Sequence, residues 1–228
     1  MKLIDLTHTL TPEIPTWYGN CGFYIEITKN YENEGEVKFC NQKLTLEAGV
    51  GTHMDAPVHC IPGSLSIADL PLDVLISPGV MIDISEKAHE NYSLTLQDIL
   101  SFEESHGKIP AGAFVMVYTG WSRHWLTPES YRNEYRFPSI SKEAAVFLLK
   151  RGVNGLGIDT LSPDRPESGY PVHQLLLAKG KYIIENIANA HLLPPLGSQI
   201  FALPLKIAGA TEAPMRLIAI IPEVGKEL

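Results

Sequence analysis

Residues 113–121 read AFVMVYTGW, and this run constrains the fold more than any other stretch of the chain. Its apolar side chains stand at consecutive rather than alternating positions, which leaves no face for water. It is therefore a strand buried on both sides, and helices or a second sheet must cover it. The neighbouring sequence supplies both. GVMIDIS (79–85) is another buried strand. LTLQDILSFEESHG (94–107) is an amphipathic helix stopped by Gly107, and SKEAAVFLLKRG (141–152) is a helix with Ser141 as its cap, Glu143 in its first turn and Gly152 as its stop. SIADLPLDVLI (66–76) also has helical periodicity and a serine cap. VNGLGID (153–159) and KYIIENI (181–187) are strands on either side of a short helix, VHQLLLAKG (172–180), and SQIFALPLKI (198–207) and MRLIAIIPE (215–223) add two strands.

The first half differs. KLIDLTHTL (2–10), GFYIEITKNY (22–31) and VKFCNQKLTLEAGV (37–50) alternate as strands with no helix between them, separated by a proline- and glycine-rich loop, TPEIPTWYGNCG (11–22). The expectation is an α/β chain with a mixed sheet and an antiparallel, strand-rich N-terminal half. No repeat, linker or low-complexity tract divides it, so residues 1–228 form one domain.

Charge and cysteine usage narrow the function. The net charge is −8 with no basic run, which argues against nucleic acid and anionic membrane as partners. No apolar stretch is long enough to span a bilayer, and Asp5 and His8 interrupt the start, so no signal peptide is expected. Three widely spaced cysteines, Cys21, Cys40 and Cys60, form no CxxC pair; a reducing cytoplasm is the expected location.

The chemistry concentrates in EAGVGTHMDAPVHC (47–60), where His53, Asp55 and His59 fall within seven positions. His53 and Asp55 are two apart and share a face on extended backbone. Imidazole with carboxylate suits zinc, manganese or iron(II) rather than calcium or magnesium. Surface loop polarity is the competing explanation, and the density of the cluster weighs against it. Further candidates lie in GIDTLSPDRPESGYPVHQLLLAKGKYIIENI (157–187): Asp159 and Asp164 after a strand, His173 opening a helix, and Glu185 in an apolar strand, where a carboxylate is costly unless it is paired or metal-bound.

The segment GVGTHMDAPVH (49–59) resembles the H-x-G-T-H-x-D-x-P-x-H motif of the metal-dependent cyclase family, which includes bacterial kynurenine formamidases and isatin hydrolases. LIDLTHTLTPEIPTWYG, YTGWSRHW, GIDTLSPD, HQLLL, ENIAN and ALPLKIAGATEAPMRLIAI resemble further family segments in the right order, so the similarity covers nearly the whole chain. The resemblance implies a swivelling β/β/α domain, usually a homodimer or higher homo-oligomer. It implies that His53, Asp55, His173 and Glu185 ligate zinc or manganese as one or two ions, with Asp55 able to bridge, that His59 is the acid/base, and that Trp17 lies in an aromatic substrate pocket, with Tyr18 beside it. Gly49 departs from the motif, where the family has a histidine. Either a neighbour such as Glu47 or Cys40 replaces that ligand, or the site keeps its metal with fewer protein donors, or it has lost metal.

The expected reaction is hydrolysis of a carbon–nitrogen bond in a linear or cyclic amide of a small planar or aromatic molecule, by hydroxide on the bound ion with His59 moving the proton. A non-catalytic binding protein on the same fold is the alternative, and a cysteine hydrolase using Cys60 is a third.

Overall fold

The computed structural model describes residues 1–32 and 35–222. Strand β1 (Lys2–Asp5) precedes a hairpin of β2 (Phe23–Lys29) and β3 (Asn41–Leu46), and then the three-residue β4 (His53–Asp55). From there strands and helices alternate: α1 (Leu72–Leu75), β5 (Ile76–Asp83), β6 (Ser93–Leu94), α2 (Leu96–His106), β7 (Phe114–Tyr118), α3 (Pro128–Arg132), β8 (Ser139–Ile140), α4 (Lys142–Lys150), β9 (Gly155–Ile158), α5 (Pro171–Leu177) and β10 (Tyr182–Glu185). Two long strands, β11 (Leu196–Pro204) and β12 (Glu212–Ile221), end the described chain. The expected final strand over 215–223 starts three residues earlier than its apolar run, and Glu223 lies outside the described residues.

The main sheet runs β1-β12-β11-β5-β7-β9-β10-β4, and β4 also pairs with β12. The second pairing joins the two ends, so the strands from β12 round to β4 close as a barrel. The parallel part is β5, β7, β9 and β10; β11, β12 and β4 are antiparallel to their neighbours. The mixed α/β architecture is the expected one. Because side chains alternate across a strand, Met54, Met116, Ile184, Ala213, Met215 and Leu217 fill one core cluster, whereas Val115, Val117, Leu156, Ile158 and Ile183 belong to the other. That second core includes Ile99 and Phe102 of α2, Leu148 of α4 and Leu176 of α5. AFVMVYTGW is thus buried on both faces, as its composition requires.

Two local expectations need correction. The helical pattern over 66–76 becomes a 3₁₀ turn at Ile67–Asp69, capped by a Ser66/Asp69 box, and the one-turn α1. Pro71 cannot continue a helix, and Ile76 is taken into β5 by pairing with Phe201. Within KLIDLTHTL only Lys2–Asp5 is a strand, antiparallel to the C-terminal half of β12. Among the described residues, no helix is long and apolar enough to cross a membrane.

Candidate metal centre

Strand β4 lies between β10 and β12, with Glu185 opposite His53 and Glu212 opposite Asp55. Residues directly opposite on neighbouring strands face the same way. His53, Asp55, Glu185 and Glu212 therefore project from one side of a three-strand patch, the side away from the core that holds Met54, Ile184 and Ala213. His173, in the first turn of α5, reaches the same point from above.

The four residues expected to ligate metal converge. The His53 Nε2 lies 3.4 Å from Asp55 Oδ1 and 3.4 Å from Glu185 Oε2. The His173 Nε2 lies 3.5 Å from Asp55 Oδ2 and 3.4 Å from Glu185 Oε1. Bonds of about 2.0–2.2 Å at tetrahedral angles would place neighbouring donors about 3.3–3.6 Å apart. Each carboxylate turns one oxygen to each ring, so the four side chains face one shared point.

Both imidazoles are held by their other nitrogen. The His53 Nδ1 lies 2.9 Å from the carbonyl of Gly51, and the His173 Nδ1 lies 2.8 Å from Asp164 Oδ2. When a cation displaces the second proton, the remaining one stays on Nδ1 and each Nε2 offers its lone pair to the cavity. Gly51 has φ +63°, a backbone state glycine adopts without strain, and it aims its carbonyl at both His53 and the amide of Asn186. Asp164 also accepts the backbone N–H groups of Val172 and His173, so it fixes the start of α5 together with the ring. Asp164→Asn should keep the fold and weaken cation binding by roughly 10- to 100-fold, as loss of a carboxylate behind a metal-binding histidine does; titration with a metal indicator checks it. Asp159 plays another part: it accepts the backbone and hydroxyl of Thr119 and stands outside the group.

Burial makes the cluster costly without a cation. The four side chains are 2–9% exposed. Burial lowers the His53 pKa, and the charges of Asp55 and Glu185 override it, leaving the ring raised to about 10. Burial pushes the Asp55 carboxyl up, and the two imidazoles more than offset it, holding the group below the usual carboxylate range. Burial and the neighbouring Asp55 raise Glu185. Asp55 Oδ2 is buried with no hydrogen bond, so its lone pairs suit a cation. His53, Asp55 and Glu185 bring one ligand atom each within 4.8 Å of one another, and with His173 Nε2 at 3.4–3.5 Å from the two carboxylates this donor set fits a divalent cation.

The group opens into a cavity of about 460 Å³. His59 lies at its edge, a third exposed, with Nδ1 3.3 Å from Glu212 Oε2; that carboxylate raises the His59 pKa. Trp17 forms a wall between Tyr135, at 4.7 Å between ring centroids, and Tyr170, at 6.3 Å. Trp17 also packs on a core cluster, so it serves both packing and pocket. Tyr18 is 75% exposed at the rim. Cys60 also lines the cavity, but burial pushes its thiol up, which disfavours the nucleophilic thiolate.

Gly49 and Glu47 line the cavity, and Glu47 is engaged by Asn20. The side chain standing over Gly49 is Glu212, which sequence reasoning missed: a Cβ on Gly49 would collide with Glu212 Oε1. Asn186 was also unassigned. Its amide bonds Gly51 and its carbonyl accepts from Thr52, tying the end of β10 to the motif.

The chain is similar to known hydrolases over nearly its full length. A kynurenine formamidase of Bacillus cytotoxicus is 30% identical, the match covering 94% of this chain and 95% of that protein. The solved structure of isatin hydrolase A from Labrenzia aggregata, bound to benzyl benzoate, superposes with a TM-score of 0.89 at 31% identity, covering 97% of this chain and 94% of that one. A second structure, described as a potential metal-dependent hydrolase with cyclase activity, gives 0.77 at 26% identity, covering 97% and 98%. A family model described as "Putative cyclase" matches residues 4–165, and by that match the chain belongs to the putative cyclase family.

Proposed function

We propose that the protein hydrolyses the carbon–nitrogen bond of a linear or cyclic amide in a small aromatic or planar molecule, with zinc or manganese held by His53, Asp55, His173 and Glu185. The observation that carries this reading is the convergence of two anchored imidazoles on two carboxylates at 3.4–3.5 Å, beside a buried Asp55 oxygen that no hydrogen bond reaches. A divalent cation bound there supplies a Lewis acid and lowers the pKa of coordinated water to about 7.

The remaining steps belong to the chain. Trp17 and Tyr170 offer flat apolar surface to a planar ring. The buried floor of His53, Asp55, His173 and Glu185 strengthens electrostatic contacts at the reacting carbonyl. His59, a third exposed and outside the tight cluster, takes a proton from the attacking water and returns it to the leaving nitrogen. Glu212 at 3.3 Å orients that ring.

Relatives named kynurenine formamidase and isatin hydrolase support both linear and cyclic amides as substrates. Purified protein offered an N-formyl arylamine and isatin should hydrolyse at least one, with the rate lost on chelation. Tight binding of both without turnover, in metal-replete protein, would favour a binding protein. The free thiols of Cys21, Cys40 and Cys60 support a cytoplasmic location. Exposed Ile25, Ile27 and Leu44 on the β2–β3 hairpin support a homodimer, which a sedimentation mass would check.

A further inference from the structure

We infer that Glu212 is itself a cation ligand, supplying from β12 the donor that residue 49 cannot. The inference rests on the metal-dependent reading above and adds a residue to it. Three independent features of the fold point to it.

The first is register. Glu212 is directly opposite Asp55 across the β12–β4 pairing, so their side chains leave the sheet on the same face as neighbours. The second is space. Oε1 of Glu212 occupies the volume that any side chain on Gly49 would enter, and the same Cβ position is 3.4 Å from His53 Nε2. The carboxylate therefore stands where a residue-49 side chain would meet the His53 lone pair. Gly49 and Glu212 work as a pair, because only the absence of a Cβ lets the carboxylate lie there.

The third is the donor set. Asp55, His59 and Glu212 each offer one ligand atom, and those atoms lie within 4.8 Å of one another, beside the His53–Asp55–Glu185 group that meets the same limit. Asp55 is common to both groups, and its buried Oδ2 makes no hydrogen bond. The contacts that hold the Glu212 carboxylate, from the Thr211 hydroxyl at 3.2 Å and His59 Nδ1 at 3.3 Å, fall on Oε2. Oε1 is the oxygen turned toward Gly49, on the side where a residue-49 side chain would approach His53. One carboxylate thus ties the acid/base ring to the cation, one oxygen to each.

The test is cation binding rather than turnover. Wild-type protein, Glu212→Gln, Glu212→Ala and the double variant Gly49→His/Glu212→Ala are dialysed against buffered zinc or manganese and analysed for bound metal. The cobalt(II)-loaded forms are compared by visible absorption. Glu212→Gln keeps the shape of the side chain and guards against a folding artefact. The expected result is a fall in affinity of at least roughly a hundred-fold, or loss of one equivalent, in both single variants, with an altered cobalt spectrum. The double variant should recover binding, because the histidine then has the space the glutamate left. Single variants with wild-type affinity, stoichiometry and spectrum would overturn the inference and leave Glu212 as a partner of His59 alone. Wild-type protein that takes up no cation would instead refute the metal-dependent reading on which the inference rests.

Discussion

Asp55→Ala should abolish cation uptake and lower kcat/KM by at least roughly a thousand-fold, the equivalent of several kcal/mol of Lewis-acid stabilisation. The size of the effect follows from the residue's position. Asp55 is 1% exposed and is the one side chain near both imidazoles and both candidate cation groups. Its loss removes two donor oxygens at once and leaves Glu185 as the sole carboxylate between His53 and His173. Asp55→Asn provides the isosteric control: it preserves packing under β4 while removing the charge, and should bind metal almost as poorly. Elemental analysis, with melting temperature as a check on folding, separates loss of metal from loss of structure.

His59→Ala should behave differently. The rate should fall by roughly 10²- to 10⁴-fold, the usual contribution of a positioned acid or base, with KM little changed. Bound cation should remain, because His53, Asp55, His173 and Glu185 hold their contacts without it. The His59 side chain is a third exposed, against 4% and 7% for His53 and His173, and its ring centroid is 5.9 Å from that of His173. The more exposed ring can exchange protons with solvent more readily than the buried rings of His53 and His173. A His59→Ala protein that came out free of metal would move His59 into the ligand set with Asp55 and Glu212.

Much of this site could be read from the sequence, for reasons particular to its residues. His53 and Asp55 share a face through simple strand periodicity, and Glu185 drew notice because a carboxylate inside YIIENI is costly without a partner. Helices α2 and α4 carry local signals, a Thr95/Asp98 box and a Ser141 cap, that need no tertiary context. What escaped depends on contacts distant in sequence. Strand β4 is three residues long among glycines and a proline, and it is a strand only because β10 and β12 flank it. Glu212 was missed for a related reason. Pro214 interrupts the apolar run, which hides the start of the last strand, although Pro214 pairs with His53 at the start of the short β4 and the strand begins at Glu212. Asp164 looked like a loop acid and proved to be the partner of His173 Nδ1.

In the proposed reading, one buried group of imidazoles and carboxylates makes this chain a cation-dependent hydrolase. The most direct measurement titrates chelator-stripped protein with zinc or manganese while following bound metal and amide hydrolysis together. Activity should rise from near zero in proportion to occupancy and saturate at the same stoichiometry. Full hydrolysis by the stripped protein, unchanged as metal binds, would contradict the account.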